Sequence, residues 1–349
     1  MTKLSVPDLT SGSVLELARE RFCQIEEADL GHGDTARIQV AHATDVLYLP
    51  SALLKGQSLQ IVEGRFIPIE AVFDSFTVEF AKQQLTMNGA TIYDKEFETD
   101  EYEDDVCILG NVFSRNFTHW HEELMKVVVI ERCGIECKYV LAALPSFAKE
   151  LIILMGIPED RLLEINRPTI FRRALFTTPV SYRNLSAHPG VLYALREIFF
   201  QINVTDQPFF GRKLWLNRNK QTRLGRTLVN FEEVNKCLEE FDVKTLDMGA
   251  LPIRTQIAVA RNLEVISGIH GSQFVHSQLM ATDSVVIECF SPFYLNPTYT
   301  EIYRVLCHRY SQISSTNTPV FPYRYGVDVE VDCSQLRLAL ENSSRSRHF

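Results

Sequence analysis

Two spacings of apolar residues alternate along most of this chain. From residue 106 onward, short apolar runs are separated by segments whose apolar positions recur three and four apart. Such runs predict buried strands, and the segments between them predict amphipathic helices. The first half reads as a strand over 106–110, a helix over 118–130 with Thr118 as its N-cap, and a strand over 138–144. A helix over 145–155, a turn over 156–161 and strands over 162–165 and 170–176 follow. The polar stretch 177–189, with Pro179 and Pro189, reads as a linker. The pattern then restarts with a helix over 191–202, a strand over 213–216, a helix over 231–241 capped by Asn230, a strand over 243–246 and a helix over 253–262. Next, Leu263, Val265 and Ile266 lead into a small polar turn, 267–272. A helical pattern through Phe274, Val275, Leu279 and Met280 follows, then a strand over 285–287 closed by Glu288. That is one βαβ unit. A helix over 298–310, a strand over 312–314, a helix over 334–340 and a disordered tail complete the prediction.

Strands alternating with helices in this way predict the α/β class, with two Rossmann-like, doubly wound parallel sheets. The expected domains are 1–176 and 191–341, joined by a linker over 177–190 and followed by a tail over 342–349. The first ninety residues say less: a helix over 14–25 and strands over 46–50 and 60–62.

Composition narrows the function classes. A length of 349 residues, 46% of them hydrophobic, suits a globular protein of two domains. The net charge of −9 argues against nucleic acid as the main partner, because that footprint is basic. No apolar run approaches a membrane span and the N-terminus has no signal-peptide core, so a cytoplasmic location is expected, compatible with peripheral membrane association. The eight cysteines, several inside apolar runs (Cys107, Cys289, Cys307), are expected as buried free thiols. Eight of the twelve residues 94–105 are acidic. A solvated loop is the plain reading of that run, and a metal-binding carboxylate cluster the rival, but no clean DxD follows an apolar strand there.

Candidate chemistry gathers where strands end, the ligand edge of open α/β sheets. Gly268 and Gly271 flank His270 and precede Ser272 and Gln273, so backbone N–H groups there can approach an anion at a helix N-terminus. Glu288, closing the next strand, is placed to accept hydrogen bonds from sugar hydroxyls. Four cations, Arg218, Lys220, Arg223 and Arg226, follow directly on the strand over 213–216. Out of context they read as a solvated face; at this edge of an acidic protein they suit a diphosphate, which the planar arginine fork binds through two oxygens. Fixed cations of this kind can stabilise a leaving phosphate without a metal. Four residues apart on one helical face, His119 and Glu123 form a second group, read either as structural or as a general base. There is no G-x-G-x-x-G, no Walker lysine and no G-x-S-x-G, which removes the main support for dehydrogenase, NTPase and hydrolase readings.

These residues resemble glycosyltransferase family 61, whose members include the EGF-domain-specific O-linked N-acetylglucosamine transferase, plant xylan-decorating transferases and bacterial surface-polysaccharide transferases. Gly268-Ile269-His270-Gly271-Ser272 running on to Val286-Ile287-Glu288 resembles its GxHGAGL…viEl signature. Asn116-Phe117-Thr118-His119-Trp120 is similar to its N-Y-x-H-W segment, Leu216-Asn217-Arg218 with Arg226 and Asn230 to its yiSR…R…NE segment, and Gln256 to the Gln of its "eQ" helix. Ser272-Gln273 stands where the family has Ala-Gly, Asn217 where it has Ser, and Glu123 where many members carry Asp. The resemblance implies a GT-B fold with two domains facing a cleft and inverting transfer without a metal. The donor would be a nucleotide sugar, a UDP-sugar being favoured, with no other cofactor; a hydroxyl of a glycan or glycolipid would be the acceptor. With no leader or anchor in view, the bacterial surface-polysaccharide type is the expected kind. The alternative is a catalytically silent nucleotide- or sugar-binding protein on a degenerate GT-B scaffold, which the Ser272-Gln273 departure motivates.

Overall fold

The fold was analysed in a computed structural model that describes residues 22–31, 34–41, 46–49, 59–62, 65–67, 100–109, 117–141, 147–165, 167, 169–177, 181–182, 186–187, 189–217, 227–291, 299–316 and 328–345. The chain divides into two units, residues 1–182 with 188–195, and residues 183–187 with 196–349.

The first unit contains β1 (Phe22–Gly31), β2 (Asp34–Ala41), β3 (Val46–Leu49), β4 (Leu59–Val62), β5 (Arg65–Ile67), β6 (Asp100–Leu109), α1 (Phe117–Arg132), β7 (Lys138–Leu141), α2 (Phe147–Leu154), β8 (Leu162–Glu164) and β9 (Thr169–Thr177). Its parallel core runs in the order β9-β6-β7-β8. In chain order that is the 3-2-1-4 arrangement of a Rossmann half, with the direction of winding reversing between β6 and β9. The other edge of β9 carries β2 and β3, both antiparallel to it. The sheet is therefore mixed rather than wholly parallel. Two-residue links such as 32–33 and 63–64 leave room only for antiparallel neighbours, since a parallel crossover needs about a dozen residues.

Strand β6 corrects the solvated-loop reading of the acidic run, of which 94–99 lie outside the described residues. Residues 100–105 are its exposed half and residues 106–109 its buried half. Beside it on β9, Arg172 meets Glu101 at 2.6 Å, and Arg173 meets Asp105. Cross-strand arginines take up the charge that sequence alone assigned to solvent. Residues 22–25, expected as helix, lie in β1. Helix α1 starts at Phe117, so Thr118 lies inside it and is not its cap.

The second unit follows two short strands, β10 (Ser181–Tyr182) and β11 (Ser186–Ala187), and helix α3 (Pro189–Gln201), which straddles the division. It contains β12 (Lys213–Leu216), α4 (Phe231–Glu240), β13 (Lys244–Leu246), α5 (Ile253–Asn262), β14 (Val265–Ile269), a 3₁₀ helix (Ser272–Leu279), β15 (Val285–Phe290), α6 (Thr300–Val305), β16 (Arg309–Ser314) and α7 (Cys333–Arg345). All five core strands are parallel, in the order β13-β12-β14-β15-β16. That is the 2-1-3-4-5 doubly wound order, with its switch point between β12 and β14. One core packs Trp215, Val265, Ile269, Val285, Ile287 and Ile313 with Val234 and Leu238 of α4 and Leu336 and Leu340 of α7. Alternate strand positions supply that face, as the two-residue period requires.

Several boundaries differ from the reading of the sequence. The last helix reaches Arg345, four residues into the expected tail, and residues 346–349 lie outside those described. The expected helix 298–310 is only Thr300–Val305, because Cys307 turns the chain at a positive φ of 55° and β16 begins at Arg309. Cys307 is exposed, whereas Cys107, Cys137, Cys237 and Cys289 are buried free thiols. Asn230 precedes α4 but its side chain does not cap it. It bonds the carbonyl and the N–H of Val331 at 2.9 and 3.0 Å, tying the strand-like segment before α7 to the start of α4.

Candidate functional site

The carboxyl ends of β12 and β14 meet at the switch point of the second unit. Leu216, Gly268, Glu288 and Gln312 stand in one row across the sheet. Gly268 is buried inside β14, at φ 150°. A Cβ built there would lie 3.0 Å from both the Cβ and the carbonyl oxygen of Leu216. This glycine therefore serves the approach of two strands; the expectation that it opens the backbone to an anion does not fit its place. Gly271, with an extended backbone (φ 174°), is the residue at the turn, immediately before the 3₁₀ helix.

Glu288 was expected to close its strand at the ligand edge. Strand β15 instead continues to Phe290, and Glu288 is only 1% exposed. Its Oε1 lies 2.7 Å from Nδ1 of His270, and the His270 ring stacks on Phe290 with centroids 4.7 Å apart. The alternation of β15 explains the pair: positions 288 and 290 lie on the same face, so one residue binds the ring edge and the next supports its plane. The ring of Tyr299 lies 5.8 Å from that of His270, tilted to it. The phenols of Tyr303 and Tyr310 stand near the same carboxylate, and burial first, then the charge of Glu288, raises both well above the usual tyrosine value. Tyr303 Oη meets no partner in hydrogen-bond geometry. A buried carboxyl group needs a hydrogen-bond partner, and here the imidazole edge supplies one. A ribose would have to displace His270 to reach Glu288.

After Gly271 the chain forms a 3₁₀ helix where an α-helix was expected. Its carbonyls are claimed by side chains. Nδ1 of His276 lies 2.7 Å from the Gln273 carbonyl, Nε2 of His308 lies 3.0 Å from that of Ser277, and Arg196 donates to those of Gln278 and Met280. Such bonds compete with the i→i+4 ladder and hold the tighter turn in place. His276 is fully buried; its Nε2 lies 2.9 Å from Gln256 Oε1, and Gln256 Nε2 donates to the Leu251 carbonyl at 2.7 Å. Burial pushes His276 down to about 4. Gln256, matched to a family position by sequence, is thus a brace between α5 and the turn.

Gln273, at the start of this turn, donates from Nε2 to Oδ1 of Asp247 at 3.0 Å. The same oxygen accepts from the Gly249 N–H at 3.1 Å, while Gln273 Oε1 is buried with no hydrogen-bond partner. Asp247 directly follows β13, the second strand of this sheet in chain order. An acidic residue after the second strand is where Rossmann-type folds take ribose hydroxyls. Sequence reasoning passed over Asp247. The signal was the short strand Val243-Lys244-Thr245-Leu246 running into Asp247-Met248-Gly249, a strand followed by a turn with an acidic cap.

The remaining candidates are placed unevenly. Arg218, Lys220, Arg223 and Arg226 lie outside the described residues; Asn217, immediately before them, donates its N–H to the Leu246 carbonyl at 2.9 Å, next to Asp247. Ser272 opens the 3₁₀ helix. Both His119 and Glu123 lie in α1, which puts them on one helical face, but the His119 side chain is outside the described set. Glu123 is 1% exposed, with Lys126 2.9 Å away. Among the described residues, no helix is long and apolar enough to cross a membrane.

Comparison with known proteins adds one match. The sequence profile of the family described as Glycosyltransferase 61 matches residues 117–287, from the start of α1 to the middle of β15. No curated protein matches the chain.

Proposed function

Over residues 117–287 the chain belongs to the glycosyltransferase 61 family, and we propose that it is an inverting enzyme moving a sugar from a nucleotide-sugar donor, a UDP-sugar favoured, to a hydroxyl of a glycan or glycolipid. Glycosyl transfer is the family's activity. One observation carries the donor assignment. His270, Gly271, Ser272 and the Gln273–Asp247 pair converge at the switch point of a parallel sheet, where open α/β sheets take nucleotides.

The donor's diphosphate would meet the N–H groups at the start of the 3₁₀ helix, together with the cations of 218–226 that follow β12. Asp247 would take the ribose hydroxyls, in place of the buried Glu288. Both Asp247 hydrogen bonds use Oδ1, which leaves Oδ2 for a sugar. The bond from the anomeric carbon to the phosphate oxygen breaks as the acceptor oxygen attacks. His119, on the helix that follows the switch strand of the first unit, would take the acceptor's proton; Glu123, already beside Lys126, would support it. No metal is needed where fixed donors carry the leaving charge. The acidic run supports this, since Glu101 and Asp105 are paired with arginines. Bacterial surface-polysaccharide synthesis, in the cytoplasm, is the setting we propose.

A thermal-shift series with UDP and UDP-sugars, in EDTA, tests the reading. A ligand at 100 times its Kd adds about 2.7 kcal/mol of stability. No shift with any nucleoside diphosphate or nucleotide sugar refutes donor binding. Turnover abolished by EDTA and restored by Mn²⁺ refutes the metal-free mechanism. Nucleotide binding with neither transfer nor donor hydrolysis would favour the silent binding protein instead.

A further inference from the structure

Asp247 and Gln273 come from the loops that follow β13 and β14, the two neighbours of β12 in the sheet. Their hydrogen bond therefore spans the carboxyl end of β12, at the switch point. Oδ1 of Asp247 accepts from the Gly249 N–H at 3.1 Å and from Gln273 Nε2 at 3.0 Å. The first bond lies within one turn; it holds the oxygen but lets the carboxylate plane pivot about it. The second comes from a separate element and stops that pivot. With both lone pairs of Oδ1 engaged, those of Oδ2 remain for other donors, and Asp247 is only half-buried.

Packing alone does not account for a glutamine at 273. The side chain is buried, and its Oε1 has no hydrogen-bond partner. A buried orphan carbonyl is destabilising, and methionine would fill a similar volume with no such group to satisfy. Nor can the amide turn over, because that would set Oε1 against Oδ1, acceptor against acceptor. The bond to Asp247 is the one polar contact this side chain makes.

We propose that Gln273 is a positioning residue that acts through Asp247: it fixes the carboxylate plane so that Oδ2 meets the ribose hydroxyls of the donor nucleotide, and so makes the site selective for ribonucleotides. This rests on the donor-site reading above. The sugar hydroxyls donate and the carboxylate accepts, and Gln273 itself does not touch the sugar.

The experiment uses the full chain with UDP and 2′,3′-dideoxy-UDP as probes, titrated calorimetrically in the parent, Gln273→Met and Gln273→Glu. The ratio of the two dissociation constants is the readout, because titration of the diphosphate affects both ligands alike and cancels. The parent should favour UDP by roughly 10-fold or more, with a ratio that stays level from about pH 5.5 to 8, as for hydrogen bonds to a charged group. Gln273→Met should bring the ratio below about threefold, while the unliganded protein melts no more than about 2 °C below the parent, since an orphan carbonyl has gone. Gln273→Glu sets a second carboxyl group beside Asp247. Two carboxyls that close take up a shared proton as the pH falls, and that proton restores the missing donor. Its ratio should therefore climb on acidification, from near one at about pH 8 towards the parent's value at about pH 5.5.

A ratio undiminished in Gln273→Met, or one in Gln273→Glu that ignores pH, overturns the proposal; UDP binding in the same titrations leaves the donor-site reading standing. Should Gln273→Met fail to fold, the pH dependence of Gln273→Glu decides alone. A ratio near one in the parent, with UDP bound, also overturns the proposal, since Asp247 then does not meet the ribose. A parent that binds no UDP removes the donor-site reading and the proposal with it.

Discussion

Replacing Gly268 by alanine separates two roles that the sequence allows for the same glycine. If it admits an anion to the backbone, alanine should cost nucleotide affinity and leave the fold intact. The structure predicts the reverse. Alanine at φ 150° lies in a region that L-residues rarely occupy, which costs about 1–3 kcal/mol. The added Cβ would sit 3.0 Å from Leu216 Cβ and from the Leu216 carbonyl oxygen. A carbonyl inside a five-stranded parallel sheet cannot step aside as a side-chain tip can, so crowding adds about 1–3 kcal/mol. The sum is about 4 kcal/mol. With a urea m-value of about 2 kcal/mol per molar, the midpoint should fall by about 2 M. Trp215 is buried in β12, next to Leu216, and reports on this unit. The only other tryptophan, Trp120, is replaced by phenylalanine in both proteins so that the fluorescence is specific. Gly271→Ala is the control: its extended backbone suits any residue, and the change should cost about 1 kcal/mol or less. An unmoved midpoint in Gly268→Ala, with UDP affinity lost, would refute the strand-approach argument.

Three further outcomes are expected. Burial holds His276 at about 4 in the fold against about 6.5 unfolded, so between those values the unfolded chain binds more protons. Its contribution is complete above the unfolded value and is lost on acidification, by about 2 kcal/mol at pH 5; His276→Gln should flatten this part of a stability-against-pH curve, and stability rising on acidification would instead mean that the two accepting partners hold a charged ring. Asp247→Asn should weaken UDP binding by roughly 10-fold or more, as for a lost hydrogen bond to a charged group, while 2′,3′-dideoxy-UDP binds parent and variant alike; equal UDP affinity in titration calorimetry would remove Asp247 from the ribose. His119→Ala should lower turnover by about 10²–10⁴ with UDP affinity unchanged and Glu123→Ala by less, and near-normal turnover in both would send the acceptor's proton elsewhere.

Much of the architecture was legible in the chain because it rests on local periods. Helix 253–262 and strand 213–216 appear at the predicted boundaries, and the alternation of strands with helices places both units in the α/β class. The family also followed from motifs in order along the sequence, and the profile match bears it out. Side-chain partners were not legible, because they come from distant segments. The acidic run reads as solvated until Arg172 and Arg173, roughly seventy residues on, lie beside it on β9. Glu288 reads as the end of a strand and a sugar ligand, until two more residues of β15 and the ring of His270 bury it. Gly268 and Gly271 are alike in sequence; only the neighbouring strand makes one indispensable to packing and leaves the other at the turn. Asp247 acquires meaning only once winding order makes β13 the second strand, beside the switch point. Period and propensity are properties of neighbours in the chain, whereas burial, register and side-chain pairing are set by whatever the fold brings alongside.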